Sequence, residues 1–273
     1  MRISQSMIKD LIKYQEGKLC GLQFVEKYIK GNFDKFFASG AMSIGTWFEY
    51  QLTGALPKDG RIPLPEKTTK GELTAPYKKM LGHVADFKAT MLYYGFEIVS
   101  IGEKISHGDL EGILDLRLKA TQTITTESGI RIEKGEVFFV DLKTSGLLDN
   151  KWADYGWEID NLSNKHNLVM QPILYKYIEM KNTGKDVKFL FFLYNTNDST
   201  DSRIINFVCD EDAYLDLEVT IKNARILLER HTKKGWKAKP SKSVCAKCPI
   251  KIGCPSFTGV PPITDFFFTP ANA

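Results

Sequence analysis

The chain has 273 residues and a mass of 31.0 kDa, with 43% hydrophobic and 26% charged residues. Those values belong to a globular protein and exclude a disordered, collagenous or coiled-coil chain, and no apolar run approaches the ~20 residues that span a bilayer. The net charge is only +4, yet residues 222–251 hold ten Lys or Arg and one acid, Glu229, so the remainder is net negative and an anionic partner is expected at the C-terminal end.

Ser4 is placed to cap a first helix whose apolar residues, Met7, Ile8, Leu11 and Ile12, recur at helical spacing. The opening MRISQSMIKDLIKYQEGK has neither the apolar core of a signal peptide nor a cleavage site. A soluble protein of a reducing, cytoplasmic compartment is expected, where five cysteines do not form a disulfide framework. A second helix is predicted over about 41–54, an exposed Pro- and Gly-rich loop over 57–71, and a third helix over about 73–94. Strand character follows at 96–101 and at 112–120, where Leu114, Leu116 and Leu118 alternate with Ile113, Asp115 and Arg117. Residues 127–136 read as a polar hairpin tip, and 137–144 as an apolar strand. A helix over about 167–181, strands at 187–194 and 204–208, and a long helix over about 211–233 complete the chain before a basic, Cys-rich end. Helices first, then a largely sequential sheet interrupted by one helix, predict a single α/β or α+β domain.

The words that carry chemistry are GILD (112–115) and VDLKTS (140–145). Residues two apart on a strand share a face, so Asp141 and Lys143 project together at the end of the apolar run 137–140. A charged pair there is costly unless it meets a metal, a substrate or a good partner. If the two strands pair, Asp115 and Asp141 converge on one oxygen-loving cation such as Mg²⁺ or Mn²⁺. Such an ion polarises a phosphodiester oxygen and lowers the pKa of a water, while a neighbouring lysine orients that water or stabilises developing charge.

Cys245, Cys248 and Cys254 form C-x2-C-x5-C, a spacing that suits an iron–sulfur cluster or Zn²⁺. Cys209 ends an apolar strand and reads as an ordinary buried cysteine, so Cys20, in a Gly-flanked turn, is taken as the fourth ligand.

This ordered set resembles the PD-(D/E)XK nuclease superfamily in its RecB-like branch. Its elements here are Glu49 within IGTWFEY, Asp115 within GILD, Asp141 and Lys143 within VDLKTS, and Gln171 with Tyr175 within QPILYKY, across about residues 4–257. The resemblance implies a restriction-endonuclease-like core, a central mixed sheet flanked by helices, with chain ends joined by a four-cysteine cluster. It also implies roles. Glu49, Asp115, Asp141 and the Leu142 carbonyl would hold the metal, Lys143 would be the catalytic lysine, and Gln171 and Tyr175 would place the substrate strand. Pro172 departs from a plain helix, because it has no N–H; a helix must start or kink there. The cysteine pattern is similar to that of AddB-type and CRISPR-adaptation nucleases, which implies a [4Fe–4S] cluster of largely structural role, with Zn²⁺ as the rival occupant. One nuclease domain over 1–273 is expected, divided into an N-terminal helix and Cys20 segment (1–40), a catalytic core (41–210), a basic helix with the cysteine cluster (211–257) and a tail (258–273).

Arg225, Arg230, Lys233, Lys234, Lys237, Lys239 and Lys242 are expected to neutralise phosphates, with Trp236 among them stacking on a base or joining the core. Trp152 and Trp157 would line the substrate channel, and the Phe-rich tail would dock on the body. No P-loop is present, so no ATP hydrolysis is expected, and no membrane partner. The reading is a Mg²⁺- or Mn²⁺-dependent deoxyribonuclease, an exonuclease on single-stranded or end-bearing DNA working with a helicase or recombination partner in repair, recombination, replication or phage DNA processing. The alternative is a non-catalytic nucleic-acid-binding scaffold or a zinc-stabilised interaction protein.

Overall fold

The computed structural model describes residues 1–36, 40–57, 60–127, 129–146, 148, 162–239, 241–246, 248–251 and 254. In chain order its elements are β1 (Ile3–Ser4), α1 (Gln5–Gln15), α2 (Gly21–Phe24), a π-helical turn (Val25–Ile29), a 3-10 turn (Phe33–Phe36), α3 (Gly40–Thr53) and α4 (Ala75–Tyr93). Then come β2 (Phe96–His107), β3 (Leu110–Ala120), β4 (Ile124–Thr125), β5 (Arg131–Ile132), β6 (Val137–Ser145), α5 (Leu162–Thr183), β7 (Phe189–Asn195), β8 (Ser202–Phe207), α6 (Glu211–Lys234) and α7 (Lys242–Ala246). Two compact units emerge: Met1–Lys9 with Ala38–Ile226, and Asp10–Phe37 with Leu227–Ala273.

The first unit is built on a six-stranded mixed sheet of order β1-β3-β6-β7-β8, with β2 also paired to β3. β6 and β7 are parallel, which requires a crossover, and α5 supplies it. The remaining long pairs are antiparallel. Alternation decides the faces. Leu116, Leu118, Phe138, Val140 and Phe192 point to one side and form a core with Trp47 and Phe48 of α3 and Tyr77, Met80 and Phe87 of α4. Burying each such side chain contributes about 1.5–3 kcal/mol relative to exposure. The opposite side carries Phe139 and Asp141 of β6, and buried residues of α5 and α6 (Leu174, Ile178, Leu217, Ile221) complete the unit's interior. The α/β class with a central mixed sheet flanked by helices is thus as expected.

Several bounds differ from those read in the sequence. β2 continues from Phe96 to His107 instead of stopping near 101. The expected polar tip at 127–136 contains β5, which pairs with β4 and buries Ile132 in the main core. α5 begins at Leu162, before the expected 167, and runs through Pro172. Pro172 has no N–H to return to the Leu168 carbonyl, so one intrahelical bond is missing mid-helix.

In the second unit Trp236 stacks on Phe24 with ring centroids 4.3 Å apart and planes 16° from parallel. His231 and Tyr14 close the same aromatic cluster. Buried Asp10 accepts hydrogen bonds from Lys27 Nζ and Tyr28 OH, both at 2.8 Å, which fastens the π-helical turn to α1. No helix among the described residues is long and apolar enough to cross a membrane.

Candidate active site

β3 and β6 pair from Lys119–Val137 to Leu116–Val140, and there the ladder ends. The next residues on each strand are Asp115 and Asp141. Where backbone pairing stops, the Asp115 side chain takes over: its Oδ2 accepts the Leu142 N–H at 2.8 Å. Asp141 is only 2% exposed. Its Oδ1 accepts Gln171 Nε2 of α5 at 2.5 Å, and its Oδ2 forms an ion pair with Lys143 but has no well-directed hydrogen bond. The Leu142 side chain packs against the core on the other face.

The charges are crowded. Burial pushes the Asp115 carboxyl well above its ordinary range, and the negative charges of Asp141 and Glu49 push it further, against the opposing pull of Lys143. Glu49, on α3, is raised by burial first and then by Asp141. Burial disfavours the Lys143 ammonium, but Asp141 and Asp115 outweigh it and hold the lysine above its ordinary value. The Tyr175 phenol is pushed up to about 12, chiefly by burial and then by Asp141, so it is neutral at physiological pH. Glu49, Asp115, Asp141, Lys143 and Tyr175 therefore feel one another's charge, and Gln171 joins them by its bond to Asp141. They come from α3, β3, β6 and α5.

Three carboxyls, two of them raised by burial and then by neighbouring negative charge, and an under-bonded Asp141 Oδ2 are a hard-oxygen donor set that a divalent cation suits. As the side chains stand, no three His, Cys, Asp or Glu groups among the described residues converge closely enough to hold an ion. Asp115 and Asp141 are turned toward the Leu142 amide, Gln171 and Lys143 instead.

The sequence reading missed Arg117, which lies two residues beyond Asp115 on the same strand. Its guanidinium grips Glu103 of β2 through Nε (2.8 Å) and Nη2 (2.9 Å) and Glu179 of α5 through Nη1 (2.9 Å) and Nη2 (3.3 Å). The available signal was an arginine on the same face of the strand as Asp115, one of several charged residues there with Glu111 and Lys119.

None of the five cysteines is in a disulfide, and Cys20, Cys245, Cys248 and Cys254 belong to the second unit. The turn at Cys20 meets the segment that leads to the other three. Cys20 Sγ accepts the Lys239 N–H at 3.4 Å. A Cβ on Gly21 would lie 2.4 Å from the Lys237 carbonyl oxygen, so only glycine permits that approach. Gln23 hydrogen-bonds the Cys248 thiol, which burial raises above its ordinary pKa, with Cys245 and Cys254 near enough to add to the effect.

Several of the basic residues are engaged with partners within the chain. Arg225 is paired with Asp109, its Nε 3.0 Å from Oδ2. Lys233 bonds Glu229 one helical turn back at 2.6 Å. Lys239 Nζ donates to the Tyr14 carbonyl at 2.7 Å. Arg230, Lys234 and Lys237 are exposed. Trp236 is half-buried and stacked on Phe24. Trp152, Trp157, the Lys242 side chain and the tail 258–273 lie outside the described residues.

No protein-family model matches the chain, and no curated protein matches it by sequence. In fold it is similar to the crystal structure of a protein from Eubacterium rectale named as a candidate exonuclease. The TM-score is 0.58 at 18% identity, over 90% of this chain and 88% of that one.

Proposed function

We propose that the protein is a metal-dependent deoxyribonuclease of the PD-(D/E)XK type, an exonuclease on single-stranded or end-bearing DNA. The observation that carries this reading is the end of the β3–β6 pairing at Asp115 and Asp141, where Lys143 pairs with Asp141 and Glu49 of α3 lies near enough to feel the charges of both. The likeness in fold to a candidate exonuclease agrees with it.

Glu49, Asp115, Asp141 and the Leu142 carbonyl would hold Mg²⁺ or Mn²⁺. When bound, such an ion supplies Lewis acidity toward a phosphodiester oxygen and toward a water. The chain's own residues do the rest. Lys143, held protonated by its acidic neighbours, presents a positive charge to the developing oxyanion. Gln171 fixes the Asp141 carboxylate through Oδ1, which leaves Oδ2 for Lys143 or a ligand. Tyr175 stays a neutral hydroxyl that can donate to a phosphate oxygen.

The cysteine segment is read as the seat of a [4Fe–4S] cluster. The Lys239 amide aimed at Cys20 Sγ supports this, since N–H donors to sulfur favour the thiolate state that ligation requires. The cluster's role would be to hold the unit together.

The deciding experiment is degradation of end-labelled single-stranded DNA with Mg²⁺ or Mn²⁺, comparing wild type with Asp141→Ala. Cleavage by wild type alone supports the reading, and the product ladder gives polarity. Binding without cleavage by either protein would turn the assignment to a nucleic-acid-binding scaffold.

A further inference from the structure

We propose that Arg117 is a positioning residue for the candidate active site: by clamping Glu179 of α5 to Glu103 of β2 above the Phe139 ring, it sets where α5 presents Tyr175 and Gln171 to the carboxylates. The inference rests on the nuclease reading of that site.

The geometry is specific. The guanidinium makes two bonds to each glutamate, at 2.8, 2.9, 2.9 and 3.3 Å. Its carbon lies 4.7 Å from the centre of the Phe139 ring. Every element it touches also carries or adjoins a site residue. Arg117 is two residues from Asp115 on β3, and Phe139 is two residues from Asp141 on β6. Glu179 is one helical turn from Tyr175 and two turns from Gln171 on α5, a span of about 12 Å at 1.5 Å per residue. A displacement of α5 at Glu179 is therefore carried to the Tyr175 ring and on to the Gln171–Asp141 bond.

A half-buried Glu–Arg–Glu triad is poor stability material, because desolvation offsets much of its attraction. What it adds is direction: a planar fork accepts each carboxylate in one orientation only. Tyr175 also bonds the Ile113 backbone of β3 and Gln171 bonds Asp141 of β6, while the remaining polar ties of α5 run elsewhere. Tyr177 and Lys181 reach Glu218 of α6, Lys176 reaches Asp186, and Asn182 reaches the end of β2. Among the described residues, the Arg117–Glu179 pair is the ion pair that joins α5 to the strand bearing Asp115.

The test uses Arg117→Lys, which keeps the charge and loses the fork, and Glu179→Gln, which keeps the shape and loses the charge. Oligonucleotide cleavage is measured with Mg²⁺ beside wild type and Asp141→Ala, and amide exchange is measured without DNA. We expect Arg117→Lys to lower kcat by about 10- to 100-fold with KM unchanged. Exchange should quicken over 171–179 of α5 but not over α4. The loss should not deepen when Gln171→Ala is added, since both changes act through one contact. Wild-type kcat in Arg117→Lys, unchanged exchange in α5, or losses that multiply with Gln171→Ala would each overturn the proposal. If wild type and Asp141→Ala are equally inert, the nuclease reading fails, and the exchange measurement alone decides whether Arg117 holds α5.

Discussion

The ring of Tyr175 occupies the space that a side chain at Gly112 would need: a Cβ there would lie 2.3 Å from the ring edge. Two motif positions 63 residues apart in the sequence are thus one packing unit. The glycine of GILD is there so that the tyrosine of QPILYKY can lie against the strand. Gly112→Ala should destabilise the protein by about 1–3 kcal/mol through overpacking. Part of that loss should return in a double variant with Tyr175→Ala, read as a coupling energy in urea titrations. An unchanged urea midpoint in Gly112→Ala would mean that the ring does not lie there.

Asp115 gives a pH prediction with a definite sign. Its folded-state carboxyl is harder to ionise than the unfolded one, so the native state holds the proton more tightly. The stability this provides is complete below the ordinary carboxylate range and is lost as pH rises through the raised folded value. Asp115→Asn retains an acceptor for the Leu142 amide and removes the charge. The metal-free variant should therefore be more stable than wild type at pH 8, with a flatter profile from pH 4 upward. Mn²⁺ should raise the melting temperature of wild type and leave the variant unmoved. A variant that responds equally to Mn²⁺ would remove Asp115 from the metal set.

The basic segment should separate into two kinds of residue. Lys234→Ala and Lys237→Ala should each weaken DNA binding uniformly across sequences and reduce the salt slope by about 1, with little change in stability. Trp236→Ala should instead cost stability, near the lower end of the ~3–5 kcal/mol typical of large aromatic deletions, because its ring is stacked on Phe24. Loss of DNA affinity in a Trp236→Ala protein of normal stability would return this residue to base stacking.

Protein purified without oxygen should be brown and contain iron and acid-labile sulfide. Cys248→Ser should lose both and melt at a lower temperature, whereas Cys209→Ser should lose neither. Colourless protein carrying zinc would overturn the cluster.

Much of the candidate site was legible because its residues sit in short words with strong local patterns. Leu114, Leu116 and Leu118 declare a strand, and Asp115 within it declares an exception. What local pattern cannot report is a partner contributed by another element. Arg225 read as a phosphate ligand because Asp109 is 116 residues away. Trp236 read ambiguously because Phe24, its stacking partner, stands near the other end of the chain. Arg117 lay in plain view on the Asp115 face, but its meaning depends on Glu103 and Glu179, which neither spacing nor charge count connects to it. The length of β2 was hidden differently. Its register shifts between Ile98 and Ser100, and Gly102 has φ +60°, so the alternation that identifies a strand is broken in its middle.

The bond from the Leu142 amide to Asp115 Oδ2 gives a carboxylate a backbone duty at the frayed end of a ladder. Every change in the ownership of that oxygen, by a proton or by a cation, must be felt by one peptide group. The Leu142 N–H is thereby a built-in gauge of the electrical state of Asp115, placed where β3 and β6 part.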